Sequence, residues 1–103
     1  MSRHSNNQFV FRLIPPRPTF NLDMDDDERA IMTRHGEYWE RQLEAGNVVV
    51  YGPVVDRTGA WGLGVLTAAD EAQAQAMLLA DPAISSELAT FELGTMPVAV
   101  LPD

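Results

Sequence analysis

The sequence predicts a single α+β domain of the ferredoxin-like type, and three observations carry that expectation. A short segment of strand period is followed by a capped, helix-forming segment, two apolar runs flank a turn-forming stretch in the middle, and an alanine-rich helical segment precedes a last strand. The resulting order is βαββαβ, the split arrangement in which two helices cover one face of a four-stranded antiparallel sheet. With 103 residues the chain is long enough to bury one core and too short for two. Residues 1–103 are therefore expected to form one domain, with 1–7 as a flexible N-terminal tail.

Gln8 to Ile14 reads as the first strand, because Phe9, Phe11 and Leu13 alternate with Gln8, Val10 and Arg12. Pro15-Pro16-Arg17-Pro18 stops it, and a loop runs from there to Asp25, long enough to be either a lid over a site or a spacer. Asp25, Asp26, Asp27 and Glu28 supply N-cap candidates and negative charge for a helix that runs to about Ala45, with Gly46 just beyond its end. Consecutive aspartates point in different directions and lack calcium-loop spacing, so they read as a helix start rather than a metal site.

Val48 to Tyr51 and Trp61 to Leu66 read as a hairpin around the turn formers Asp56-Arg57-Thr58-Gly59. Thr67 and Asp70 resemble a capping box for a second helix from Ala68 to Ala80, ended by Pro82, with Ala83 to Leu88 adding a further turn. Thr90 to Leu101 holds the last strand, interrupted by Gly94 and Pro97. One sheet face is left without helices. Val48, Val49 and Val50, like Val65 and Leu66, are apolar toward both sides of the sheet, so the uncovered face is expected to pair with a second copy of the chain.

Composition narrows the chemistry. There are no cysteines and no lysines, which removes disulfides, thiolate chemistry and Schiff bases. A net charge of -8 opposes binding to nucleic acid or anionic lipid. No apolar run approaches the roughly 20 residues needed to span a bilayer, and the polar start leads into no signal-like stretch, so a cytoplasmic protein is expected. Gly59, Gly62 and Gly64 lie within the hairpin and form no nucleotide fingerprint, Ser85 and Ser86 lack a nucleophile elbow, and no metal or cofactor site is expected. Trp39 and Trp61 read as core and interface residues.

Two histidines remain, His4 in the tail and His35. At about 100° per residue, His35 falls in the middle of one sector of the first helix with Ala45, Tyr38, Ile31, Gln42, Glu28, Trp39, Met32 and, at its edge, Leu43. Arg29, Thr33, Gly36, Glu37, Glu40 and Glu44 lie opposite. His35 therefore faces the sheet. From the wheel alone this is a core histidine bonded to a backbone carbonyl, Tyr38 or Gln42, since an unpaired imidazole in that place would cost about 1–3 kcal/mol. Ala74, Leu78 and Asp81 continue a core-facing stripe to a carboxylate, although Asp81-Pro82 is also a favoured N-cap and N1 pair.

Three features coincide in order: His35 in the first helix, Gly52-Pro53 after the second strand, and Asp81-Pro82 after the second helix. Together with His35-Gly36-Glu37-Tyr38-Trp39 they resemble the YciI-like, or YCII-related, family, from Gln8 to about Val100. The resemblance implies a dimeric α+β barrel and an active site on a His-Asp dyad, here His35 as general acid/base and Asp81 as its orienting partner. Gly52, Pro53 and Tyr38 would lie beside the substrate. The broader fold group includes muconolactone isomerase-like and dehydrochlorinase-like enzymes that move protons on ring compounds. The first loop, with Pro15-Pro16-Arg17-Pro18 and Phe20, is longer than in the shortest members. The expected function is thus cofactor-independent proton transfer, isomerisation or elimination on a small organic molecule, as an isomerase or lyase. The alternative is a non-catalytic dimeric module that binds a small molecule or a partner protein.

Overall fold

The structure is a computed structural model that describes residues 2–103. Strand β1 (Ser2–Ser5) precedes β2 (Gln8–Ile14), a single helical turn α1 (Phe20–Asp23) and the long helix α2 (Asp26–Glu44). The hairpin β3 (Val48–Asp56) and β4 (Gly59–Thr67) leads to α3 (Glu71–Leu79), the short α4 (Pro82–Ser85), β5 (Thr90–Met96) and β6 (Ala99–Pro102). The main sheet has the order β3-β4-β2-β5 with every pairing antiparallel, which is the ferredoxin-like α+β arrangement expected from the sequence. No helix among the described residues is long and apolar enough to cross a membrane.

Local chemistry explains the element ends. Asp25 caps α2 by accepting from the Glu28 N–H while the Glu28 carboxylate accepts from the Asp25 N–H, a reciprocal capping box. Asp70 caps α3 by accepting from the Gln73 N–H. That helix begins at Glu71 rather than Ala68, because Thr67 completes β4 and the Ala68 N–H donates to the Asn7 carbonyl. The chain ends depart further from expectation. Ser2–Ser5, expected as a tail, pairs with Ala99–Pro102 in a separate two-stranded ribbon, so the last strand is two strands divided at Pro97-Val98. Met1 lies outside the described residues.

The core sits between α2, α3 and the sheet face that carries Phe9, Phe11 and Leu13. Trp39, Leu66, Ala74 and Leu78 are fully buried there. A bulge at Val49 shifts the register between Val48 and Val50, which sends Val48 into the core and leaves Val50 on the open face. The centre of the packing is the Phe11 ring stacked on Trp39, with centroids 4.9 Å apart, and Tyr38 meeting Trp39 edge-on at 5.1 Å. Phe11 lies flat against β4 because its cross-strand partner is Gly64, where any Cβ would overlap the Phe11 ring. Gly64→Ala is accordingly expected to lower unfolding stability by about 1–3 kcal/mol in urea titration, as an overpacked core does.

Candidate active site

Two helix segments bring the site together. His35 sits midway along α2 on the side facing the sheet, and Asp81 occupies the junction between α3 and α4. The stripe of Ala74, Leu78 and Asp81 is fully buried as a unit, which carries a carboxylate into the core at the helix end. The His35 Nδ1 lies 2.9 Å from both oxygens of Asp81. One oxygen also accepts from the Trp39 indole N–H at 2.8 Å, the other from the Ala83 backbone N–H at 2.9 Å. Asp81 is therefore at once the N-cap of α4 and the partner of His35, two roles that the sequence presented as alternatives. A carboxylate removed from water costs several kcal/mol, and three converging donors offset that cost.

The geometry assigns the imidazole's two nitrogens. Nδ1–H donates to Asp81, so in the neutral ring Nε2 carries the lone pair. His35 retains 17% side-chain exposure while Asp81 retains none. That residual exposure opens into a cavity of about 310 Å³ whose wall includes His35 but not Asp81. Phe11, Leu13 and Tyr51 of the sheet contribute its floor, and Met32 and Trp39 flank His35 on α2. Gly52 and Pro53 line it too. A Cβ at Gly52 would meet nothing, so open space rather than crowding surrounds that position.

Tyr38 is placed elsewhere. Its hydroxyl donates to the Met77 carbonyl at 2.6 Å and its ring braces Trp39, so it faces α3 and is absent from the cavity wall. Burial first, then the Asp81 charge, push the Tyr38 phenol above its ordinary value against an opposing effect of Arg41, which keeps it a hydrogen-bond donor. Trp61, read as an interface residue, borders the cavity and donates to Asp56 at 2.9 Å. Thr58 foremost, then Trp61, hold the Asp56 carboxyl down at about 2.

The long first loop forms the roof. Pro15, Pro16, Phe20, Asn21 and Met24 all border the cavity, and Phe20 is buried. What pins this roof is Arg17, whose guanidinium donates to the Asp23 carboxylate and carbonyl and, in a two-point grip, to both oxygens of Glu28 on α2. Sequence reasoning passed over Arg17, and also over the Trp39 indole as the second donor to Asp81. Trp39 lay four residues after His35 on the same helix face, which is the spacing at which two side chains can share one partner.

A ferredoxin-like α+β domain with an inward histidine, held by a buried aspartate at the wall of an apolar cavity, is the class that fold and site define. A family model described as the YCII-related domain matches residues 9–94, and the chain belongs to that family. No curated protein matches the chain.

Arg17 foremost, then the Asp25 N–H, hold the Glu28 carboxyl at about 2, well below its ordinary value near 4.5. A depressed carboxylate stabilises the fold above its unfolded value and loses that contribution as pH falls through the folded one. The stability difference between wild type and Glu28→Gln is therefore expected to be full above about pH 4.5 and to shrink steadily toward pH 2, as read by paired thermal melts.

Proposed function

We propose that the protein is a cofactor-independent enzyme that moves a proton on a small organic molecule, in isomerisation or elimination next to a carbonyl. The observation that carries this reading is the His35 ring itself, with one nitrogen fixed by Asp81 and the ring reaching an apolar cavity of about 310 Å³. A fixed tautomer presents Nε2 as a base without reorganisation, and the Asp81 charge stabilises the imidazolium that forms when the proton arrives. His35 is the general acid/base, Asp81 the positioning residue, and Gly52 and Pro53 part of the ligand wall. The cavity's size falls within the range used for small molecules and suits an enzyme and a non-catalytic binding module alike; the tautomer-fixed His35 ring at its wall is what favours the enzyme.

The test is deuterium incorporation in D₂O at the carbon next to the carbonyl of cyclic ketones and cyclic dicarbonyl compounds, followed by proton NMR. Wild type is expected to accelerate exchange, His35→Ala to reduce it by about 10²–10⁴-fold, and Asp81→Asn to slow it while ligand binding persists. Exchange by both variants at the wild-type rate would remove the dyad from the mechanism.

The open sheet face supports a homodimer, in keeping with the dimeric α+β barrel expected of the family. Val10, Val50, Val54, Leu63 and Val65 share that face, opposite the core-facing Phe9, Phe11 and Leu13, and Val50 is 53% exposed. Sedimentation is expected to give a dimer for wild type and a folded monomer for Val65→Arg; a wild-type monomer at micromolar concentration would end this reading.

A further inference from the structure

We infer that the His35 cavity selects uncharged ring compounds carrying a weakly acidic O–H or C–H, and rejects carboxylates and phosphates of the same shape. The inference rests on His35 as the proton-handling group and adds the charge class of its ligand. Three observations carry it. The wall is apolar apart from His35, the Asn21 amide and the Tyr51 hydroxyl, and behind His35 stands a buried carboxylate that no arginine among the described residues touches. An anion brought into this space would lose its water and meet the Asp81 charge through a thin, poorly screening layer of protein.

No cation among the described residues is in reach to compensate. Arg17 lies in the roof segment, yet four of its N–H groups already donate to Asp23 and Glu28, so it brings no free charge to the cavity. Arg12 is the next candidate, because Trp61 borders the cavity and the Arg12 guanidinium lies 4.6 Å from the Trp61 ring. Arg12 projects from the opposite face of β2 to Phe11 and Leu13, however, where Glu92 approaches it at 3.9 Å. The sheet separates it from the site. With lysine absent and a net charge of -8, the field of the whole chain adds to the local repulsion.

At interior packing density the cavity holds about a dozen non-hydrogen atoms. A bicyclic ring with one polar group is of that size. Its apolar body would rest on Phe11, Leu13 and Met32, and its O–H or C–H would point to the lone pair of His35 Nε2. Asn21 and Tyr51, both in the cavity wall, carry the other polar groups available to a ligand oxygen.

The experiment compares 2-naphthol with 2-naphthoate, equal in ring and opposite in charge class at about pH 7.5, by isothermal titration calorimetry on the intact protein. Wild type is expected to bind naphthol at least about tenfold more tightly than naphthoate. Asp81→Asn should narrow that ratio by strengthening naphthoate. Because Asp81 also caps α4, Met32→Arg provides a second variant that leaves the dyad intact; by placing a cation in the wall it should reverse the preference. Equal affinities, a wild-type preference for naphthoate, or no binding of either probe would overturn the inference. Binding is read here without turnover. A naphthol preference without any catalysed exchange would therefore leave the ligand class standing and remove the enzyme, while a naphthoate preference with His35-dependent exchange would do the reverse.

Discussion

A carboxylate with no solvent exposure is the constraint on which the rest of this structure turns. Asp81 is tolerated inside the core only because donors from one long helix and the start of another converge on it: the His35 imidazole and the Trp39 indole of α2 and the Ala83 backbone N–H of α4. Each donor is in place for a separate packing reason. Trp39 is set by its stack on Phe11, Phe11 by the absence of a side chain at Gly64, and Ala83 by Pro82, which opens α4 at the position where a missing N–H does no harm. Sheet, long helix and the α3–α4 junction are thus fastened at one point, and the imidazole that reaches the cavity is one of the fasteners.

This arrangement joins stability to chemistry. A histidine held only by packing would be free to adopt either tautomer, and its ring could turn. Here the same contact that satisfies a buried charge also selects the nitrogen offered to the cavity, so the cost of burying Asp81 is tied to an imidazole held in one tautomer. The division of labour is visible in the exposures: the carboxylate is sealed and the imidazole is reachable.

Much of the fold was legible because its signals are local. The alternation of Phe9, Phe11 and Leu13, the acidic N-cap and first turn of α2 at Asp25–Glu28 and the turn at Asp56–Gly59 each specify structure within a few residues, and each appears where expected. The wheel of α2 likewise placed His35 toward the sheet, and Ile31, Met32, Tyr38 and Trp39 do pack there, though Leu43 at the sector's edge is 44% exposed. What escaped depended on contacts distant in sequence. Ser2–Ser5 has no strand-like alternation, and its pairing is created by Ala99–Pro102 at the other end of the chain. Tyr38 sits close enough to His35 on the wheel to suggest a shared ligand, and only the position of α3 shows that its hydroxyl turns to Met77. The meeting of His35 with Asp81 spans 46 positions; family resemblance suggested it, where the local sequence alone favoured a helix cap.

The Arg17 clamp has a consequence for how a ligand would come and go. It ties the roof to Glu28, on the same helix as His35, so the roof and the imidazole move together and the cavity can widen there only when an ion pair at the surface parts. The walls that hold a ligand are apolar and insensitive to dissolved ions, whereas the clamp is screened by them. For an uncharged ligand, raising ionic strength would therefore quicken entry and departure together and leave the equilibrium between them nearly untouched. Salt would then act on residence time, and hydrophobic area on affinity.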